Sequence, residues 1–94
     1  MRIIDRNICP ICGESLKQEI VIDTHDAVFV SCRSCGDYGM TAEFCEDQIE
    51  SGKMRAKTEA FLSRHANDIE KPFLVNQTGC VIKGYTCYPA WRIR

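Results

Sequence analysis

Two matched segments decide the fold of this chain: Cys9-Pro10-Ile11-Cys12-Gly13 and Cys32-Arg33-Ser34-Cys35-Gly36. Each segment forms a tight turn that brings two cysteine sulfurs within reach of one metal ion, and the following glycine suits a backbone with positive φ. Two such pairs of thiolates provide the tetrahedral coordination that structural zinc prefers, with Zn–S bonds of about 2.3 Å. The sequence therefore predicts one structural zinc ion with four protein ligands: Cys9, Cys12, Cys32 and Cys35.

Other uses of these cysteines fit the pattern less well. A thioredoxin-type redox dithiol needs a single Cys-x-x-Cys at a helix N-terminus in a βαβ setting, whereas here a hairpin follows and a second motif is present. A disulfide framework is disfavoured because the chain has seven cysteines, an odd number. Iron in a rubredoxin-like site would use the same four ligands, and the spacing alone does not separate it from zinc.

Length and composition indicate one small metal-stabilised domain. A chain of 94 residues buries little apolar surface, so a metal staple is physically expected. No stretch approaches the roughly 20 apolar residues of a membrane span, and no apolar secretion segment opens the chain, so we expect a cytoplasmic protein whose thiolates stay reduced. The net charge of −1 means that nucleic-acid binding would need a local basic patch.

Hydrophobic patterning predicts a hairpin followed by two helices. Residues 16–22 and 27–31 are rich in β-branched side chains and flank a polar turn, which predicts a zinc-ribbon β-hairpin. The two Cys-x-x-Cys-Gly turns, called the first knuckle (residues 9–13) and the second knuckle (residues 32–36), would lie at its base. Thr41 is a good N-cap for a helix over residues 42–51. A second helix is predicted over residues 53–67. Its apolar face has helical spacing and consists of Met54, Thr58, Phe61, Leu62 and His65.

The C-terminal part should add a short β element. Glu70-Lys71-Pro72 ends the helical pattern, and the apolar residues 73–75 and 80–82 flank a turn, which predicts a small antiparallel hairpin. The expected fold is a small α+β zinc protein. A zinc ribbon over residues 1–40 and a helical segment with the C-terminal hairpin over residues 41–94 would pack as one compact unit.

Residues 9–62 resemble the small rubredoxin-type zinc ribbons of short bacterial and phage proteins. The shared pattern is Cys-Pro-x-Cys-Gly, a hairpin, Cys-x-x-Cys-Gly-x-Tyr-x-x-Thr, and then a helix. The matching residues are Cys9, Pro10, Cys12, Gly13, Cys32, Cys35, Gly36, Tyr38 and Thr41. Arg33 stands where proline is common, which leaves the metal site unaffected. The resemblance implies a fold and a zinc ion, and many of these ribbons have no assigned activity.

The remaining cysteines and histidines fit plain structural roles. Cys45 on the first predicted helix fits a small buried apolar side chain, and His25 at the hairpin tip fits a solvated turn. His65 fits a core or boundary position. The alternative is a second metal site formed by Cys45, His65, Cys80 and Cys87. No paired acid and base, phosphate loop or open metal position is recognisable, so we do not expect an enzyme.

The charges are unevenly distributed along the two predicted helices. Residues 37–50 hold five acids and no Lys or Arg, whereas residues 53–65 hold four basic residues and one acid. Two helices with complementary exposed faces explain this pattern. The alternative is a nucleic-acid surface that tracks phosphates. Its candidate residues are Lys53, Arg55, Lys57, Arg64, Arg92 and Arg94.

The C-terminal tail mixes aromatic residues with arginines. Tyr88 and Trp91 are of the types that anchor protein interfaces and that stack on bases, while Trp91 could also simply cap the core. We therefore expect a structural-zinc adaptor, a small bacterial or phage regulator that acts through a protein partner. The alternative is a nucleic-acid-binding zinc-ribbon protein that uses the basic second helix and this tail.

Overall fold

A computed structural model describes residues 6–23, 27–77 and 82–93. The expected α+β class is confirmed within these residues: one five-stranded mixed sheet packs with short helices. The strands are β1 (Val21–Ile22), β2 (Ala27–Cys32), β3 (Gly36–Thr41), β4 (Lys71–Val75) and β5 (Tyr85–Pro89). The helices are α1 (Ala42–Phe44), a π-helix (Cys45–Glu50), α2 (Arg55–Arg64) and α3 (Ala90–Ile93).

The strands lie side by side in the order β1-β2-β3-β4-β5. β1, β2 and β3 are antiparallel neighbours, whereas β4 runs parallel to both β3 and β5. Because β3 pairs directly with β4, the sheet joins the cysteine-rich N-terminal part to the C-terminal part.

The second knuckle is the turn of the β2–β3 hairpin. Cys32 pairs with Gly36 across it, and Gly36 has φ +81°, a conformation that residues with a Cβ adopt only with strain. On the other side of β2, the predicted strand over residues 16–22 is reduced to the two residues of β1. Strand β3 was not predicted because its glycines and aspartate, in Gly36-Asp37-Tyr38-Gly39, are poor strand formers.

The first helical region follows its predicted bounds but not its predicted winding. The N-cap prediction is confirmed, since the backbone N–H of Phe44 donates to Thr41 Oγ1 at 3.0 Å. After one α-helical turn the chain widens into the π-helix, a conformation that is rare as a run of this length. Phe44, Cys45 and Ile49 are buried beneath it.

Helix α2 presents its predicted face to the core. Met54, Thr58, Phe61 and Leu62 are all buried, and His65 lies half-buried at the C-cap. The helix is shorter than the predicted 53–67 because Met54 and His65 both have non-helical backbone angles.

The predicted antiparallel hairpin of residues 73–75 with 80–82 is wrong. β4 pairs in parallel with β5, from Lys71 opposite Tyr85 to Val75 opposite Pro89. Ile82 lies outside any strand, and residues 80 and 81 lie outside the described part of the chain. A turn pattern between two apolar runs therefore did not reveal which strand pairs with β4 or in which direction. Helix α3 follows β5 directly and was not predicted.

Alternating residues of the strands enter two apolar clusters on opposite faces of the sheet. The helices cover one face, where Val28, Tyr38, Met40 and Leu74 belong to the main core. On the other face, Phe29, Phe73 and Tyr85 form an aromatic cluster with ring centroids 5.5–6.1 Å apart.

Candidate metal centre

The four knuckle cysteines bring their sulfur atoms together at one end of the sheet. All four atoms lie within 4.8 Å of one another, with Cys12 and Cys32 sulfurs 3.4 Å apart and Cys9 and Cys35 sulfurs 4.0 Å apart. A tetrahedral site with Zn–S bonds of about 2.3 Å needs sulfur separations of about 3.8 Å. The cluster therefore has the dimensions to hold one metal ion.

Local backbone hydrogen bonds form each knuckle. In the first, the N–H of Gly13 donates to the carbonyl of Cys9, and the N–H of Cys9 donates to the carbonyl of Glu14, both at 2.9 Å. In the second, the N–H of Cys35 donates to the sulfur of Cys32 at 3.5 Å. These bonds position the cysteines by short-range geometry, which explains why the sequence motif alone predicted the cluster.

The thiols of the cluster differ in how readily they ionise. Hydrogen bonding with Cys35 lowers the pKa of the Cys9 thiol to about 4. The same interaction raises the pKa of Cys35, and burial raises the pKa of Cys12 to about 11. Cys9 thus takes the negative charge while Cys12 and Cys35 hold their protons, because like charges at this distance repel. A metal ion bound between the four sulfurs would displace these protons and balance the charge of four thiolates.

Tyr38 adds a hydrogen bond to the cluster from the core side. Its hydroxyl lies 3.2 Å from the sulfur of Cys9, and both residues have no solvent-exposed surface. Burial raises the pKa of Tyr38, so the phenol keeps its proton and can donate it to the Cys9 thiolate. Donors of this kind fix a ligand's orientation and reduce the charge that the metal must balance.

The substitution Tyr38→Phe should lower zinc affinity by about 10–100-fold, the usual cost of losing a hydrogen bond to a metal ligand. Competition with a chromophoric chelator would measure this. Tyr85→Phe makes the same chemical change on the opposite sheet face and should leave the affinity unchanged. Equal zinc affinities for wild type and Tyr38→Phe would contradict the assigned role of the hydroxyl.

A carboxylate bridges the outer sides of the two knuckles. Ser34 Oγ donates to Glu14 Oε2 at 2.8 Å, and the same oxygen lies 4.0 Å from the sulfur of Cys32. Glu14 belongs to the first knuckle region and Ser34 to the second, so this contact ties them together. It was not predicted, because nothing in the spacing relates positions 14 and 34.

The two knuckles also hold α2 near both of its ends. At the N-terminal end, Arg55 Nε donates to the backbone carbonyl of Ile11 at 2.8 Å. At the C-terminal end, a Cβ on Gly36 would lie 3.5 Å from the Cα of Ala66, so the second knuckle packs closely on the residues after the helix. The order of the metal site is thereby linked to the placement of α2, and Arg55 binds the first knuckle rather than projecting freely.

The residues of the predicted second metal site are not gathered into a second cluster within the described chain. Cys45 is a free thiol with no exposed surface, and burial raises its pKa to about 12. Cys87 is disulfide-bonded, which the sequence did not indicate. A disulfide-bonded Cys87 has no thiolate to offer a metal ion, and Cys80 lies outside the described residues, so the rest of the predicted second site stays untested. His25, predicted at a solvated turn, also lies outside the described residues.

His65 forms part of an aromatic stack. Its Nδ1 lies 2.6 Å from Asp68 Oδ2, and its ring packs against Phe61 and Tyr88 at centroid distances of 4.4 and 5.2 Å. This is the boundary position that the sequence favoured.

The basic residues predicted for nucleic-acid binding and the aromatic tail residue Trp91 lie at the surface. Lys53, Lys57, Arg64 and Arg92 are exposed, and none of them forms a salt bridge with a carboxylate of the described segments. Arg94 lies outside the described residues. Trp91 is 62% exposed, so the expectation that it caps the core is wrong: the short helix α3 buries Ala90 and Ile93 instead.

Comparisons with models of protein families, with curated proteins and with solved structures found no match for this chain. The resemblance to zinc ribbons therefore depends on the motif residues and on the sulfur cluster. No helix in the described segments has the length and apolar character to cross a membrane.

Proposed function

We propose that the protein binds one structural zinc ion and acts as a non-catalytic adaptor that presents a surface to a protein partner. The clustered sulfurs of Cys9, Cys12, Cys32 and Cys35 support the metal part of the proposal. Four thiolates form a soft, tetrahedral donor set suited to zinc, and a metal with four protein ligands keeps no position for water or substrate.

The observation that carries the adaptor proposal is a solvent-exposed tryptophan beside a stacked arginine. Trp91 is 62% exposed, and the guanidinium of its neighbour Arg92 lies 5.5 Å from the ring centroid of Tyr88. We call Tyr88, Trp91 and Arg92 the tail patch. Tryptophan, tyrosine and arginine are the residue types that dominate binding energy at protein interfaces.

Packing contacts hold the Tyr88 ring of the tail patch in place. The ring of Tyr88 packs edge-on against Phe61 at 4.8 Å and against His65 at 5.2 Å, and Asp68 fixes His65 through its Nδ1. Anchors that are already ordered lose less conformational entropy on binding, which favours their use at an interface.

Zinc would stabilise the tail patch by holding α2 in place. Phe61 belongs to α2, and His65 is its C-cap. The first knuckle contacts α2 at Arg55, and the second knuckle packs on Ala66, just after the helix. In this proposal the metal centre takes no part in chemistry but keeps the helix beneath the patch in place.

The substitution Trp91→Ala should weaken partner binding by about 2 kcal/mol or more, because it removes a hot-spot side chain, and should leave thermal stability nearly unchanged. Zinc-loaded wild type and variants would be compared for retention of a partner captured from the source cells. Lys57→Glu is the matched control and should retain it. Equal retention by wild type and Trp91→Ala would contradict the assignment.

A nucleic-acid surface is the second candidate, supported by two basic residues on α2. Lys57 and Arg64 are seven positions apart, which places them on one helix face, and both are exposed. If this surface binds phosphates, affinity for a fluorescent single-stranded oligonucleotide should fall steeply with salt and weaken with Lys57→Glu or Arg64→Glu. The adaptor proposal expects neither effect.

A further inference from the structure

Strand β2 continues beyond the strand that covers its outer edge. The pairing of β1 stops at Val21, opposite Phe29, whereas β2 runs on to Cys32. The N–H of Asp23 donates to the carbonyl of Ala27 at 2.8 Å. Main-chain groups of an antiparallel strand alternate between its two edges, so those of Ala27, Phe29 and Ser31 point towards β1. On this edge, no strand of the described chain pairs with the main-chain groups of Ser31.

A groove follows this uncovered edge. Two cavities of 310 and 240 Å³ share Gln18 and Ser31 in their linings, and the segment before β1 forms the opposite wall. We call them together the β2 groove. The groove runs along the last residues of β2 and ends at the second knuckle.

The two halves of the β2 groove carry opposite charge. Lys17 and Arg33 line the larger cavity, and no carboxylate does. The smaller cavity is lined by Glu19 and Asp37 together with a single cation, Lys71. Asp37 also accepts a hydrogen bond from Ser31 Oγ at 2.7 Å, which holds its carboxylate beside the uncovered edge.

Aromatic rings complete the acidic half. Phe29 and Tyr85 line the smaller cavity, and their centroids lie 5.5 Å apart. Aromatic faces next to carboxylates attract cationic side chains. The acidic half therefore suits a lysine or arginine, and the basic half suits an aspartate or glutamate.

We propose that the β2 groove binds an extended peptide segment of a protein partner, added antiparallel to β2, with an acidic residue followed two positions later by a basic residue. Residues i and i+2 of a strand share one face and lie about 6.6 Å apart, so the acidic side chain reaches Lys17 and Arg33 while the basic one reaches Asp37. Main-chain bonds to Ser31 supply the pairing, as in strand addition to other open sheet edges. This site is separate from the tail patch.

The test uses two acetylated and amidated peptides of identical composition, Thr-Asp-Val-Lys-Thr and Thr-Lys-Val-Asp-Thr. Each would be titrated into the ¹⁵N-labelled, zinc-loaded full chain and followed by NMR. The acid-first peptide should shift the amide signals of Gln18 and Ser31 and bind about fivefold more tightly than the reversed peptide. The absence of shifts at millimolar peptide, or equal affinity for both, would overturn the proposal.

Charge-reversal variants test whether the peptide occupies the β2 groove. Lys17→Glu with Arg33→Glu should weaken the acid-first peptide about tenfold, because its acidic residue then meets like charges. Lys57→Glu, a charge reversal outside the groove, should have no effect. Trp91→Ala should also bind the peptide normally, so failure of the tail patch and failure of the β2 groove give different results. If the Lys17→Glu, Arg33→Glu double variant bound the acid-first peptide as tightly as wild type, the peptide would not occupy the β2 groove.

Discussion

Removal of the metal, or the single substitution Cys35→Ser, will unfold this protein. Structural zinc bound by cysteine-rich peptides contributes apparent free energies of about 10–16 kcal/mol near neutral pH, whereas small domains have net stabilities of only about 5–15 kcal/mol. Cys35 is one of the four members of the sulfur cluster and is buried. Far-UV circular dichroism and NMR dispersion, recorded before and after a chelator under reducing conditions, would measure the loss.

Cys45→Ala is the matched control for this prediction. Cys45 is also fully buried and free, but it is not part of the cluster, so the variant should stay folded and bind metal normally. A Cys35→Ser protein with a wild-type spectrum would show that the cluster does not support the fold.

Gly39→Val will destabilise the protein by about 3 kcal/mol, at the upper end of the cost of overpacking a core. A Cβ at this position would lie 2.6 Å from Cδ2 of Phe73 and 3.1 Å from Cδ1 of Phe29, and valine adds two more carbons. The ring of Phe73 can pack this close to β3 because position 39 has no side chain. Chemical denaturation of the zinc-loaded protein would measure the change in unfolding free energy.

A second substitution makes this prediction specific. Phe73→Leu alone should also destabilise, since it removes part of a buried ring. Combined with Gly39→Val it should recover part of the loss, because leucine leaves room for the new methyl groups and contacting residues couple in double-mutant cycles. Simple additivity of the two losses would mean that the Phe73 ring does not lie over Gly39.

The features that the sequence predicted are local. The Cys-x-x-Cys-Gly turns place their sulfurs through hydrogen bonds within five residues, the Thr41 cap acts within one turn, and the buried face of α2 follows from helical spacing. Each depends on a few neighbouring residues, so the motif or the period was sufficient.

The features that the sequence did not reveal are long-range. The parallel pairing of β4 with β5 depends on how the chain crosses the sheet, and β3 forms despite its glycines because β2 and β4 flank it. The exposure of Trp91 depends on which side of α3 meets the core. The contact of Arg55 with Ile11 spans 44 positions, and its role as a tie between α2 and the metal site could not be read from charge alone.

These long-range contacts connect the metal centre to the proposed binding surfaces. The second knuckle closes the β2–β3 hairpin and so ends the β2 groove. The first knuckle contacts the N-terminal end of α2 through Arg55, and the second packs near its C-terminal end, where Phe61 and His65 support the tail patch. A zinc ion at one end of the sheet would thus maintain two surfaces without contacting either partner.

The most direct test is the metal content of the protein purified without added metal, measured by elemental mass spectrometry against protein concentration. We predict one zinc per chain, no stoichiometric iron, and loss of the zinc in the Cys35→Ser variant. A well-folded wild-type protein without bound metal would contradict the proposal that a cation held by Cys9, Cys12, Cys32 and Cys35 organises this fold.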